Sequence, residues 1–539
     1  MKTNPILRGF HPDPSIIRVG EDYFIATSTF EWWPAIRINH SKDLVNWKTY
    51  GYALTDPSYL NLSGVGASQG IWAPCLSFHD GIYYLAYTLV HSFYCNMYDT
   101  KNFYVTSESI LGPWSEPIPL NNLGFDPSLF HDTDGRKYLV SMSTDHRVPK
   151  KFRGKLILQE LSVIEKRLIG PVYEIYNSND LFLEGPHIYK RNGWYYLFSA
   201  DTGTGEGHGQ TIQRSRAITG PYEMYHPEYA VRSDPGEAYS IMTTRHDPDY
   251  PLQKVGHADL VETSRGEWYA VFLCGRPLPT SDNMSAPRRY PLGRESGIQK
   301  VTWTKDNWLD LSNGSILPSL SIDDSDATEI EVDSVTFVDN FDAEQLHLNW
   351  QSLRIPMTKE FLSLSDRPGW LRLYGMDGLA SKFRQTLIAT RWTEFHFIAE
   401  TYMQFQPEYF KQMAGLICLY DTDNYLYLHM THDEELGDCI SILKAENKVY
   451  TYPAGFIPIL AKQGIYLMAN VNQDQLQFYY RLSEDEPYQS IGHTIDCSFM
   501  SDEACNEGWF TGSMVGLCCQ DLTGFHKHAD FNWFIYRTM

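Results

Sequence analysis

One phrase recurs along the first 320 residues and constrains the fold more than anything else in the chain. A carboxylate or small residue stands beside a proline, an apolar strand follows, then a glycine turn, then an aromatic strand. The first copy runs Asp13-Pro14, Gly20, Tyr23-Phe24-Ile25. The second has Pro74, Asp80-Gly81 and Tyr83-Tyr84, and the third Asp126-Pro127, Asp134-Gly135 and Tyr138-Leu139. The fourth has Glu184, Pro186, Asn192-Gly193 and Tyr195-Tyr196, and a looser fifth has His257, Gly266 and Trp268-Tyr269. Each copy reads as two strands joined by a tight turn, a β-hairpin. Copies begin roughly 50–70 residues apart, room for one four-stranded sheet each, and strand repeats of that period build β-propellers. The shorter echo "GPWSE" and "GPYEM" after copies two and four fits the outer strands. The expectation is a five-bladed propeller over residues 1–320.

In such a ring the innermost strand of every blade runs along a central channel. Asp13, Trp72, Asp126, Glu184 and His257 all stand at the start of inner strands. They are expected at similar height, converging at one mouth of the channel. A proline beside them suits the first residue of a strand, where no ladder donor is needed.

After Leu320 the pattern changes. "SIDDSDATEIEVD" is acidic and poor in bulky residues, and residues 321–334 read as a linker. From 335 to 539 short alternating strands such as "HFIAETYMQF" and "FNWFIYR" predict a second all-β domain, a lectin-like (concanavalin-type) β-sandwich. Few helices are expected anywhere. The formal charge of −22 argues against nucleic acid and anionic membrane as partners, because both need Lys and Arg to neutralise phosphate. No run of about 18 apolar residues suggests a membrane span. The first residues lack the apolar core of a signal peptide. Nine cysteines without metal or disulfide spacing read as buried thiols of a reducing compartment, with the cytoplasm as the expected location.

Three carboxylates converging in a concave site suit paired acid and base chemistry. Glycoside hydrolysis needs such a pair: one protonated acid for the leaving oxygen, one carboxylate to activate water or attack the anomeric carbon. A third can hold the acid's proton on by like-charge repulsion. Taken singly, an Asp before Pro is usually a turn or cap residue, and a lone channel His is usually a satisfied core His. Recurrence at successive channel positions shifts the balance, because a scaffold alone has no use for buried acids, which are costly.

The chain resembles glycoside hydrolase family 43, in the β-xylosidase and α-L-arabinofuranosidase branch with a C-terminal β-sandwich. The resemblance rests on "GFHPDPSI", "STFEWWPAI", "HSKDLVNW", "WAPCLS", "GFDPSLF", "EGPHIYK", "GHADLVET" and "PLGRESGIQ", and continues in "DNFDAEQLHLNWQSLR" and "GLCCQDLTG". It implies a five-bladed propeller with inverting chemistry. Asp13 would be the general base, Glu184 the general acid, and Asp126 the residue that tunes and orients the acid. An inverting pair is expected about 6.5–9.5 Å apart, leaving room for water. Arg294 would reach sugar hydroxyls and the carboxylates, and Phe30 and Trp72 would wall the pocket. Thr204 and His208 would border it, and Phe510 would come from the sandwich to help close it. His257 matches a channel histidine that in some relatives binds calcium or water. No cofactor is required, and any calcium would be structural.

The implied activity is exo-acting release of terminal xylose from xylo-oligosaccharides, with α-L-arabinofuranosidase or dual activity as the alternative. Thr144, Ala35, the "DTGTG" run and Asp259 depart from the family pattern and bear on that choice. A non-catalytic sugar-binding propeller is the remote alternative, and it would not need the acid and base together. The expected partners are oligosaccharide substrate and further copies of the chain in a dimer or tetramer.

Overall fold

The computed structural model describes residues 2–539 except 94–96, 148–153, 178–181, 228–230, 233–238, 280–287, 323–329, 331–333 and 461–463. The first half is a ring of five antiparallel sheets. Blade one is Ser15–Val19, Asp22–Thr27, Ala35–Ser41 and Lys48–Leu54. Blade two is Gly70–His79, Ile82–Ser92, Asp99–Ser107 and Ile118–Pro119. Blade three is Ser128–His131, Lys137–Thr144, Gly154–Ser162 and Arg167–Asn177. Blade four is Leu183–Arg191, Trp194–Asp201, Gly209–Ser215 and Glu223–Met224, with Met242–Thr243 added to its third strand. Blade five is Gln253–Glu262, Trp268–Gly275, Glu295–Trp303 and Leu309–Leu311.

The hairpin turns are where the repeats place them. Asp80 and Gly81 both have positive φ (52° and 79°), as do Asn192 and Gly193 (50° and 73°). Two successive left-handed residues match the right-handed twist of the flanking strands, and Asp-Gly and Asn-Gly tolerate them at least cost. The chain start closes the ring against blade five. Asn4 donates its side-chain amide to the Ile298 and Ser319 carbonyls and accepts from the Ile298 amide, each at 2.8 Å. Leu7 and Ser296 form an antiparallel bridge beside it.

The second half is two sheets packed face to face. One holds His396–Gln404, Ile465–Asn472, Gln475–Arg481 and His528–Thr538; the other holds Thr386–Arg391, Gln412–Asp421, Asn424–Asp433, Gly437–Glu446 and Met514–Asp521. In the first sheet buried and half-buried residues alternate along His396–Gln404 and Ile465–Asn472, as one core face and one wetter face require. Gln412–Asp421 and Met514–Asp521 are buried at every position. Their inner residues, Leu416, Val515 and Leu517, join the sandwich core around Trp350, Phe478 and Phe531. Their outer residues, Ile417, Leu419 and Met514, pack in one cluster with Phe10, Phe30, Trp32 and Trp72 of the propeller.

The junction also shares backbone. Trp32–Trp33, just before the third strand of blade one, pairs antiparallel with Gln351–Leu353 at the edge of the sandwich sheet. Side-chain ion pairs add to it. Arg276 forks onto Glu295 (2.8 and 2.9 Å) and reaches Glu394 of the sandwich at 2.7 Å, where Arg8 also docks. The expected linker, 321–334, lies mostly outside the described residues. The single helical turn described is Asp502–Ala504.

Candidate active site

One residue in or just before each inner strand takes the left-handed backbone conformation: Asp13 (φ 52°), Ala73 (34°), Asp126 (54°), Gly185 (55°) and His257 (47°). In the first four it directly precedes a proline, a position that normally favours extended backbone. The pairing register jumps by one residue there in blades two, four and five, between Trp72 and Cys75, Glu184 and His187, and Gly256 and Asp259. These are β-bulges, which re-aim side chains and concentrate near active sites. They correct the expectation that Asp13, Trp72, Asp126, Glu184 and His257 are equivalent. Asp13, Asp126 and His257 occupy the left-handed position, while Trp72 and Glu184 stand one residue earlier. In blade four the left-handed residue is glycine because a Cβ on Gly185 would sit 2.5 Å from the His257 ring.

The offset brings unlike groups together. Asp13 accepts from the Ser28 hydroxyl at 2.7 Å and from Arg294 Nη1 at 2.9 Å, and His257 Nδ1 lies 3.6 Å from the same oxygen as Arg294. Ser28 is held in turn: its oxygen accepts from the Ala73 amide at 2.7 Å. Asp126 accepts from the Gly185 amide at 2.9 Å, so it is tied to the peptide just after Glu184. Burial, and next the charge of Asp13, push the Asp126 carboxyl up to about 7. Burial, then Asp126, then Asp13 push Glu184 well above the usual carboxylate range, and its Oε1 is buried with no hydrogen-bond partner. The site therefore pairs a carboxylate whose oxygens both accept from strong donors with a carboxyl that keeps its proton to high pH.

Arg294 is 2 % exposed. Besides Asp13 it donates to the Phe510 carbonyl at 3.1 Å, and its guanidinium lies over the rings of Phe30 (5.5 Å) and Phe510 (5.3 Å). Phe510 comes from the loop before the sandwich strand Met514–Asp521. Its amide donates to the Ser68 hydroxyl at 3.1 Å, and its ring stacks on Phe30 (6.2 Å, 24°) and meets Trp72 edge-on (5.2 Å). The Trp72 indole donates to the Ser68 carbonyl at 2.8 Å. Phe30, Trp72, Phe510 and Arg294 thus form one wall beside the carboxylates.

His208 is fully buried. Its Nδ1 donates to the Lys254 carbonyl at 3.0 Å, its Nε2 has no partner, and burial lowers its pKa to about 3. A Cβ on Gly256 would lie 2.7 Å from its ring. Thr204 is half-buried in the loop between the second and third strands of blade four.

His257 is kept neutral by burial, with a pKa near 4. Among the described residues no group of three or more His, Cys, Asp or Glu is arranged to hold a metal. In the adjoining channel burial opposes the charge of His187, but Asp259, with help from Cys75 and Asp126, raises its pKa to about 9. Asp259 lies 3.9 Å from His187 and accepts from Ser15, Tyr189 and the Ile16 and Leu260 amides.

Repeat reasoning missed several neighbours. Ser28 and Ser68 have no counterpart in the repeated phrase. Tyr98, whose phenol is pushed up to about 12 by burial, Glu184 and Asp126, packs on Phe125 at 5.3 Å, outside any repeat.

Comparison with known proteins adds an independent line. Residues 2–309 match the family model "Glycosyl hydrolases family 43", and residues 338–537 match "Beta xylosidase C-terminal Concanavalin A-like domain". The chain is 44% identical to the β-xylosidase of Bacillus subtilis (strain 168), over 99% of both chains. It is 42% identical to the xylosidase/arabinosidase 43B of Humicola insolens, over 99% of this chain and 97% of that one. The crystal structure of xylan β-1,4-xylosidase from Bacillus halodurans C-125 superposes over 100% of both chains, with a TM-score of 0.92 and 45% identity.

Proposed function

The chain belongs to family 43 of the glycosyl hydrolases, and we propose that it is an exo-acting, inverting β-1,4-xylosidase that releases terminal xylose from xylo-oligosaccharides. One observation carries the reading: Asp13, with both oxygens hydrogen-bonded to donors, shares a buried site with Glu184, whose carboxyl retains its proton. The terminal pentose lies against Phe30, Trp72 and Phe510, with Arg294 reaching its hydroxyls. Asp13 takes a proton from water as the water oxygen bonds to the anomeric carbon. Glu184 gives its proton to the leaving oxygen as the old glycosidic bond breaks. Opposite-face attack inverts the anomeric centre. Asp126 keeps Glu184 protonated by repulsion and, through the Gly185 amide, fixes its backbone. No step runs through a metal. Closure of one side by Phe510 favours chain ends over polymer interiors.

The propeller is assigned to 1–320 and the sandwich to 335–539. The eight described cysteines are free and buried, which supports a reducing compartment such as the cytoplasm. No helix among the described residues is long and apolar enough to cross a membrane. The name of the Humicola relative favours a second reading, α-L-arabinofuranosidase activity alone or alongside. The test is kcat/KM on aryl β-D-xylopyranoside and aryl α-L-arabinofuranoside, with Asp13→Ala and Glu184→Ala as controls and NMR of the first anomer released. Dominant xyloside turnover giving α-xylose first, lost in both variants, supports the proposal. Dominant arabinofuranoside turnover transfers it to the second reading. Sugar binding without turnover overturns both.

A further inference from the structure

At the seam between the two domains, two arginines are buried without a carboxylate partner among the described residues. Arg37, in blade one strand Ala35–Ser41, is 4% exposed; Arg391, at the end of sandwich strand Thr386–Arg391, is 2% exposed. Arg391 spends Nε on the Phe10 carbonyl (2.6 Å), and its guanidinium lies over the Phe10 ring at 5.4 Å. Among the described residues its Nη1 and Nη2 reach no acceptor of ordinary hydrogen-bond geometry, and the Tyr52 hydroxyl is the one polar side-chain group that interacts favourably with the guanidinium. Arg37 gives Nη2 to the Asn349 side chain (3.2 Å) and packs over Tyr52 (5.8 Å), while its Nε has no acceptor. Tyr52, the group that favours the charge of both, donates its own hydroxyl to the Leu348 carbonyl at 2.9 Å. His11 lies in the same field. Burial and then the two arginines drive it well below its usual pKa, so it stays neutral and offers no counter-charge.

A guanidinium does not give up its proton at any working pH, and an unpaired buried charge is among the costliest features a fold can carry. Two such groups that repel each other, with Arg37 Nε unpaired and the Arg391 Nη atoms offered nothing better than the neutral Tyr52 hydroxyl, call for an anion. With both side chains buried, the groups offer no open approach to a sugar or a peptide carboxylate. We propose that Arg37 and Arg391 bind a small inorganic anion of halide size, chloride in ordinary salt, as an ionic clamp between propeller and sandwich. The clamp bears on chemistry through the chain: Phe10, held by Arg391, is three residues before Asp13, and its ring touches Phe30 at 5.8 Å. The proposal does not depend on which pentoside is cleaved.

The test compares protein exchanged into sodium gluconate with the same protein titrated with chloride or bromide at constant ionic strength. A saturable rise in melting temperature of about 2–5 °C is expected with either halide and none with gluconate. Crystals grown in bromide should show an anomalous peak between Arg37 and Arg391. Arg391→Met should abolish the halide response. If that variant does not fold, Arg37→Gln serves in its place, and the bromide peak decides by itself. Ordered water in place of bromide, a melting temperature indifferent to halide, or a halide response that survives loss of the arginine overturns the proposal.

Discussion

Replacing Asp126 with asparagine should move the alkaline limb of the pH–rate profile. The amide oxygen of the variant can still accept from the Gly185 N–H, so the local backbone keeps its tie. Only the negative charge is removed. In the wild type that charge is the largest influence on Glu184 after burial itself. Two unit charges about 4 Å apart interact by roughly 4 kcal/mol at an effective dielectric near 20, and twice the separation halves that. Removing one is then equivalent to roughly 1.5–3 pH units. Asp126 itself titrates near 7, so its charge is only half developed at neutrality and the low end of the range applies. The sign is fixed: without repulsion Glu184 loses its proton at lower pH, and an acid catalyst is active only while protonated. The alkaline limb of kcat/KM on a xyloside should therefore move down by about 1–2 units, while the acid side of the profile keeps its position. Profiles of wild type and Asp126→Asn from pH 4 to 9 measure this directly. An alkaline limb that stays in place or moves up refutes the coupling.

Glu184→Gln should lose about 10²–10⁴-fold in kcat/KM on xylobiose but less on an aryl xyloside whose phenol leaves without proton help, and parallel assays on both substrates show the contrast. Phe510→Ala should lower kcat/KM by roughly 10–100-fold, since an apolar ring contributes about 1.5–3 kcal/mol when it packs fully, with little change in circular dichroism. Glu31, raised to about 7 by burial against the pull of Arg354, should make the fold sensitive to alkali. Its folded value exceeds its unfolded one, so the native state holds an extra proton and stability falls as pH rises from about 4.5 to 7. Glu31→Gln keeps an acceptor for the Ser68 amide and should gain up to about 3 kcal/mol over wild type at pH 8 relative to pH 4.5, read from melting temperatures at the two pH values.

The propeller was legible because its repeats are written in turn chemistry and strand pattern, both local properties. The aspartates were legible for the same reason, since Asp13 and Asp126 occupy one position of the repeated phrase. Glu184 and Trp72 sat one residue off that position; the proline spacing carries the offset in the sequence, but what it does to the strand pairing shows only in the bulges, because a register jump is a property of two paired strands. Ser28 and Tyr98 carried no signal: a serine that supports a carboxylate looks like any strand serine. Phe510 was named through family likeness alone, as nothing in "GWFTG" points to a site more than 200 residues upstream. The His187–Asp259 pair shows how one departure from the family pattern changes the surroundings of a site: Asp259 raises the His187 pKa beside the channel.

The strand Trp32–Trp33 has a consequence for how such a protein can be inherited or rebuilt. It is encoded with the propeller but completes a sheet of the sandwich, while the loop carrying Phe510 is encoded with the sandwich but completes the pocket. Each half of the gene holds a piece of the other half's structure. Recombination that exchanges sandwiches between relatives at the acidic segment would join two well-formed domains and still break one ladder and one wall. A productive exchange has to carry residues 32–33 and 508–513 as a matched set, so the unit that evolves is larger than either domain.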